Sequence, residues 1–254
     1  MELGLKNKVA LVTGVGSEIG FGKAIALTLA REGCDLIVTY NKNVEGAQKI
    51  VNEIKTLGRG VIAGKVDVRS GIEVKEMVKT ALNYFGKIDI LVNNAGGPTS
   101  EPKVFAETNE SEWNLNIDLN LKGTLLCTKA VLDNMISRRQ GKIINISSMS
   151  ARTGAAGVSI YESAKAGVIT FTKSLALEVA SFGINVNCVA PGFGLTDLGR
   201  NAPSEIIDSM LKQIPLRKAT TPEDVGNAVA YFASDISSDV TGQTLAVDGG
   251  TTMY

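Results

Sequence analysis

Tyr161 and Lys165 stand four residues apart at the head of a helix-like segment. Just upstream, an apolar run from Ile143 to Ile146 ends in Ser147-Ser148, and a loop containing Gly154 and Gly157 follows. Residues i and i+4 share one helix face, so a phenol and an ammonium point the same way. A free Tyr ionises near pH ~10. A nearby cation favours the phenolate, and lowering the pKa by ~3 requires ~4 kcal/mol of differential stabilisation. A Tyr tuned in this way serves as an acid or base at neutral pH. The pattern alone also fits an ordinary helix face, so the rest of the chain must decide.

The chain of 254 residues contains no His. Ser-His-Asp triads, Cys-His pairs and His-ligated metals are thereby excluded. Proton transfer in such an enzyme runs through Tyr, Lys, a carboxylate or a cofactor. Cys34, Cys127 and Cys188 are scattered outside any CxxC spacing and read as free thiols of a reducing compartment. With 26 basic and 26 acidic residues the formal charge is zero, which gives no pull toward nucleic acid or an anionic membrane. Apolar runs break well before ~18 residues, and the N-terminus lacks an apolar signal core. A cytoplasmic protein is expected.

The elements that must position Tyr161 follow a regular alternation. Lys8 to Thr13 reads as a buried strand, followed by a Gly-rich turn, Gly14 to Gly22, that opens a helix from Lys23 to Arg31. Such a turn lets backbone approach a pyrophosphate, and the helix N-terminus offers it free N–H groups. Strands are expected at Asp35–Tyr40, Val61–Val66, Ile88–Val92, Lys142–Ser147, Ile184–Ala190 and Gln243–Val247. Helices are expected between them, near Val44–Leu57, Ile72–Phe85, 111–138 (as one long helix) and from Tyr161 to about Phe182. Thr221-Pro222-Glu223-Asp224 caps a further helix. This is an α/β pattern: a doubly wound, Rossmann-like parallel sheet of about seven strands with helices on both faces. Residues 1–254 read as one domain, with an irregular stretch at 193–216 that suits a substrate lid.

Taken in order, these features resemble the short-chain dehydrogenase/reductase family in its ~250-residue single-domain branch. The likeness rests on Thr13-Gly14 with its turn, Asp67, Asn93-Asn94-Ala95-Gly96, Asn120, Ser148, Tyr161xxxLys165, Pro191-Gly192 with Thr196, and Asp248-Gly249-Gly250. The resemblance implies hydride transfer between NAD(P)(H) and an alcohol or carbonyl carbon, with no metal. Tyr161 is then the general acid/base, Ser148 polarises the substrate oxygen, Lys165 holds the nicotinamide ribose and lowers the Tyr161 pKa, and Asn120 positions a water in a proton relay. The cofactor would lie on Gly14, Ser17, Gly20 and Gly22, with Asp67 and Val68 at the adenine. Asn93, Ala95 and Gly96 would lie against it, and Pro191, Gly192 and Thr196 would hold the nicotinamide amide. A homotetramer is implied, formed through the helices carrying Asn120 and Tyr161 and through the C-terminal strand.

Two departures from the family pattern bear on the cofactor. The usual TGxxxGxG spacing fits only if Ser17 and Glu18 are a two-residue insertion, which puts the later glycines at Gly20 and Gly22. The alternative register leaves Glu18 where a Gly is expected, and an inward Glu18 would repel phosphate. At the end of the second strand, Tyr40 replaces the acid that NAD enzymes use for the ribose 2′-OH. Asn41 and Lys42 follow, and this favours NADP(H), with NAD(H) an alternative.

The substrate reading is a small hydroxy or keto compound such as a sugar or polyol, with a 3-oxoacyl thioester as the alternative. Reductases of 3-oxoacyl-carrier proteins dock their acidic carrier through basic residues. Arg139 fits one position, but Phe182 and Leu177 stand where others would be. A catalytically silent NADP-sensing module and a structural subunit are the readings of other classes.

Overall fold

The computed structural model describes residues 2–197 and 203–253. Its elements, in chain order, are β1 (Val9–Val12), α1 (Phe21–Arg31), β2 (Asp35–Tyr40), α2 (Val44–Thr56), β3 (Val61–Lys65), α3 (Gly71–Phe85), β4 (Ile90–Asn93) and α4 (Glu110–Ile117). They continue with α5 (Gly123–Arg138), β5 (Gly141–Ile146), α6 (Ser150–Thr153), α7 (Ser159–Val179), β6 (Ile184–Pro191), α8 (Ser204–Gln213), α9 (Pro222–Ala233) and β7 (Thr244–Val247). The strands form one seven-stranded sheet in the order β3-β2-β1-β4-β5-β6-β7, and every pairing is parallel. The expected α/β architecture and strand count hold. Chain progression reverses between β1 and β4, and a crevice opens there at the carboxyl ends of the strands.

Strand alternation sorts the core into two layers. Leu36 and Val38 of β2, with Ile90 and Val92 of β4, pack with Ile25, Leu29 and Phe232 on the α1/α9 face. Ile37 and Leu91 face the other way, onto Val131, Met135 and Leu175 under α5 and α7. The three thiols are free and buried, and burial first of all pushes each up to about 12, which removes them from nucleophilic chemistry.

The structure changes two element assignments. The stretch 111–138 is not one regular helix: α4 and α5 are joined by a π-helical turn, Asp118–Lys122, containing Asn120. A π turn widens the helix locally and re-aims side chains, a device common at functional sites. The 193–216 segment is not wholly irregular, since α8 lies inside it; residues 198–202 fall outside the described residues. Pro203 precedes α8 and Pro215 follows it, so both prolines bound the helix instead of breaking it. The predicted cap of α9 is a complete capping box between Thr221 and Asp224. Among the described residues, no helix is long and apolar enough to cross a membrane.

The ends of the strands remote from the crevice are tied by Asp89. Its carboxylate accepts the Val9 N–H at 2.9 Å and is paired with Lys87 at 2.9 Å and with Arg138. Burial works to raise its pKa, but these hydrogen bonds outweigh burial and hold it below the ordinary carboxylate value. The stabilisation is therefore present above the unfolded value of ~3.9 and is lost as pH falls through the lower folded value. Asp89→Asn should destabilise the fold by roughly 2 kcal/mol near pH 7, because the Val9 contact survives while both ion pairs lose their charge. Urea unfolding of both proteins from pH 7 down to 3 should show the difference shrinking only below about pH 4.

Candidate active site

Lys165 is the least exposed charge in the crevice. Its ammonium is fully buried and donates to the Ile146 carbonyl at 2.8 Å. Ser147 Oγ donates to the carbonyl of Lys165 at 2.8 Å, so the end of β5 grips α7 at this residue from two directions. Deeper, Asn93 Nδ2 donates to Thr128 Oγ1 (2.9 Å) and Asn145 Oδ1 (2.8 Å), and Asn145 Nδ2 donates to Thr172 Oγ1 (2.9 Å). This buried polar chain ties β4, β5, α5 and α7 into one frame.

Tyr161 lies one helical turn before Lys165, with the ammonium 5.9 Å from the ring centroid. Burial raises the Tyr161 pKa, a hydrogen bond with Ser148 lowers it, and the Glu162 charge raises it again. The net direction is upward, contrary to the expected depression by Lys165. Lys165 gives one of its three N–H donors to a backbone carbonyl, and burial pulls its own pKa from 10.5 to about 8. Ser148 Oγ is 2.9 Å from Ser150 Oγ, in the crevice wall beside Tyr161.

Asn120 is buried, not solvent-facing. Its Oδ1 accepts the Gly97 N–H (2.8 Å), and its Nδ2 donates to the carbonyls of Gly97 (3.0 Å) and Asn116 (3.1 Å). Its amide thus positions the loop after β4. A Cβ on Gly96 would lie 2.6 Å from Asn120 Oδ1, so glycine is required at this approach.

A groove of about 910 Å³ runs from Tyr40 to Tyr161 along the strand ends. Its walls include Gly14, Ser17, Gly20, Gly22, Tyr40, Asn41, Lys42, Asp67 and Val68. Beyond these lie Ala95, Gly96, Ser148, Tyr161, Lys165, Pro191, Gly192 and Thr196. Of the expected cofactor residues, Asn93 is the exception. Alternation along β4 turns it toward α5, where the buried chain holds it, and Asn94 takes its place at the groove. Asn94 Nδ2 donates to the carbonyls of Thr13 (2.8 Å) and Gly14 (3.0 Å) and so pins the Gly-rich turn.

That turn follows the insertion register. Gly20 caps α1 without any side-chain bond, so the first N–H groups of the helix face the groove. A Cβ on Gly22 would meet the Gly14 carbonyl oxygen at 2.4 Å. Glu18 points away, to Lys49 on α2. Ser17 Oγ donates to Asp197 Oδ2 at 2.5 Å, and the Ile19 N–H donates to the same oxygen at 3.2 Å. Asp67 is held low first of all by its hydrogen bond with Arg69. Sequence reading missed Gly16, Asn43, Asp197 and the role of Asn94. Only Gly16, two residues after Gly14, carried a local signal.

Uncapped helix N–H groups, glycines where a Cβ would collide, and a long crevice at the strand switch point together fit a dinucleotide. With a half-buried Tyr161 and a buried Lys165 at its far end, this is the site of a dinucleotide-dependent oxidoreductase. The family described as Enoyl-(Acyl carrier protein) reductase matches residues 14–252. A 3-oxoacyl-[acyl-carrier-protein] reductase of Staphylococcus epidermidis is 43% identical over 244 residues, covering 96% of this chain and 98% of its own. The (2S)-[(R)-hydroxy(phenyl)methyl]succinyl-CoA dehydrogenase subunit of Thauera aromatica is 39% identical over 252 residues, covering 99% of both chains. A crystal structure from Sinorhizobium meliloti, assigned to the short-chain alcohol dehydrogenases, superposes with a TM-score of 0.92 at 32% identity, covering 99% of this chain and 98% of that one. The chain belongs to the short-chain dehydrogenase/reductase family and is an NAD(P)-dependent oxidoreductase.

Burying the Lys165 ammonium costs stability: the fall from 10.5 to about 8 corresponds to roughly 3 kcal/mol. The folded state sheds this proton first, so between those values the unfolded state binds more protons and stability rises with pH. Lys165→Met should therefore be more stable than wild type by about 1–3 kcal/mol at pH 7, with the gap closing toward pH 10.5, and should lose turnover. Chemical denaturation across that range, beside a cofactor-turnover assay, checks both outcomes.

Proposed function

We infer that the chain reduces the carbonyl of a 3-oxoacyl thioester with NADPH, with Tyr161 as proton donor. The observation that carries this reading is identity of 43% over nearly the full length to a 3-oxoacyl-[acyl-carrier-protein] reductase, joined to a groove that brings Ser148, Tyr161 and Lys165 together. The same similarity favours this substrate over the sugar or polyol expected from sequence.

A bound NADPH supplies the hydride to the carbonyl carbon. The chain's own part is to hold the carbonyl oxygen between the Ser148 hydroxyl and the Tyr161 phenol and to deliver a proton from Tyr161 Oη. Lys165 keeps a positive charge beside the phenol, which stabilises the phenolate left behind. Asn120 holds the loop at Gly97 against the groove. The glycines of the 14–22 turn and the α1 N-terminus hold the pyrophosphate, while Asp67, Val68, Ala95 and Gly96 border the rest of the cofactor. Pro191, Gly192 and Thr196 would orient the nicotinamide end, and α8 is the candidate cover over the substrate. At the adenosine end no carboxylate follows β2. Tyr40, Asn41 and Lys42 border the groove there, which supports a 2′-phosphate and hence NADP over NAD.

A second reading, a coenzyme A thioester in place of a carrier-bound one, is favoured by the docking face. Leu177 is 86% exposed where a basic residue was expected. Arg139 is folded back, its Nη2 donating to the Ser181 carbonyl at 2.6 Å and its guanidinium 5.9 Å above the Phe182 ring. Of the three positions, that face offers an acidic carrier protein a single exposed cation, Arg139. The protein is read as a one-domain cytoplasmic homotetramer. Leu115, Ile117 and Leu125 near Asn120, and Leu245 of β7, are exposed apolar residues consistent with contacts between copies.

NADPH oxidation should proceed with acetoacetyl thioesters and not with aldoses or polyol-derived ketoses. Tyr161→Phe should lower kcat at least ~100-fold while leaving cofactor affinity within a few-fold. Lys42→Ala should reduce the preference for NADPH over NADH. Turnover of sugars at rates exceeding the thioesters would return the assignment to the sugar and polyol class.

A further inference from the structure

Behind Tyr161 lies a second cavity, of about 30 Å³, between the 98–103 loop, α4 and the start of α7. Tyr161 and Pro98 border both this cavity and the cofactor groove, so the two spaces adjoin on either side of the Tyr161 side chain. Most polar groups around the small cavity are satisfied. Trp113 Nε1 donates to Thr108 Oγ1 at 2.7 Å. Lys103 is paired with Glu112, which also accepts the Asn109 N–H at 3.0 Å.

Two groups are not satisfied. Asn116 Oδ1 and Thr99 Oγ1 are buried without a hydrogen-bond partner in the protein, and both residues line the cavity. Asn116 is only 6% exposed. Its amide orientation is fixed, because Nδ2 donates to the Glu112 carbonyl at 3.1 Å and a flip would set two oxygens against each other. A buried acceptor left unpaired costs stability, and an apolar side chain of the same shape would avoid that cost. Natural sequences accept such local penalties mainly at functional positions.

We propose that this cavity is a specificity subsite that seats a hydroxyl group carried by the substrate, accepted by Asn116 Oδ1 and completed by Thr99 Oγ1. The size of the cavity sets the class. At about 30 Å³ it has room for only one or two water-sized groups, which suits a hydroxyl better than a carboxylate or a ring. Charge sets it too, since both unpaired groups are neutral and the one ion pair at the wall is already matched. Asn116 sits one turn before Asn120, whose amide grips Gly97, so the acceptor is held on the same rigid frame as the Tyr161 side of the groove. The inference rests on the oxidoreductase reading above and adds to it a hydroxyl at some remove from the reacting carbonyl.

The test uses isosteric pairs in which a hydroxyl replaces a methyl: 4-hydroxy-2-butanone with 2-pentanone, and the N-acetylcysteamine thioesters of 5-hydroxy-3-oxopentanoate and 3-oxohexanoate. Wild type should favour the hydroxylated member of a pair by about 10- to 100-fold in kcat/KM. Asn116→Leu should erase or reverse that preference, with a melting temperature no lower than wild type because an orphaned acceptor has been removed. Thr99→Val gives an independent variant on a different element and should weaken the preference several-fold. Equal use of both members by wild type, or a preference that survives in Asn116→Leu and Thr99→Val, overturns the subsite while leaving the reductase reading intact. Absence of NADPH oxidation with every member overturns the reductase reading, and the subsite with it.

Discussion

The site depends on a buried ammonium that has no carboxylate beside it. Lys165 is held by one backbone carbonyl, at Ile146, and its own carbonyl is held by Ser147. Charge in such a place is expensive, and the fall of its pKa to about 8 records the expense. The cost is tolerated because the frame around it does not yield. Asn93, Asn145, Thr128 and Thr172 lock β4, β5, α5 and α7 together, so Lys165 cannot swing to solvent without breaking buried hydrogen bonds. The buried charge is thus held in a frame of side chains that do not line the groove.

Close backbone approach is the second constraint. Gly22 abuts the Gly14 carbonyl, Gly96 abuts Asn120 and Lys165, and Gly14 itself, with φ of +74°, abuts Ala95. Side chains at these points would force β1, α1 and the loop after β4 apart and fill the crevice. The two inserted residues respect this limit. Glu18 points outward to Lys49, while Ser17 stays at the groove wall and bonds Asp197, and the glycine contacts remain as the fold requires.

Much of this was legible in the chain because it is written locally. Strand alternation with helices, the spacing of Tyr161 to Lys165 and to Ser148, and the glycines of the turn each follow from short-range pattern, and the seven strands lie within a few residues of their expected limits. What was not legible depends on direction or on distant partners. Asn93 and Asn94 are adjacent and chemically identical, and only the pleat of β4 decides which one enters the core. The π turn at Asn120 has no residue signature, since Asp118 to Lys122 reads as ordinary helix. Asp197 meets Ser17 across 180 positions of sequence. Helix α8 was hidden by prolines that mark its ends.

Substrate choice belongs to this second, non-local kind. Under the proposed reading the proton chemistry resides in Tyr161, Ser148 and Lys165, and a phenol, a hydroxyl and an ammonium say little about which carbonyl is reduced. Discrimination must come from surfaces that the chemistry leaves free. On the outer face, Leu177 is exposed, and the neighbouring cation Arg139 lies on the Ser181 carbonyl and the Phe182 ring. On the inner face, Asn116 and Thr99 place unpaired polarity behind the phenol. A site built to hydrogen-bond a hydroxyl rejects the analogue lacking it far more strongly than an apolar pocket rejects one extra methylene. On the proposed reading the inner face therefore has the greater power to set specificity, because Asn116 puts an unpaired acceptor inside α4 where an apolar side chain would avoid the cost.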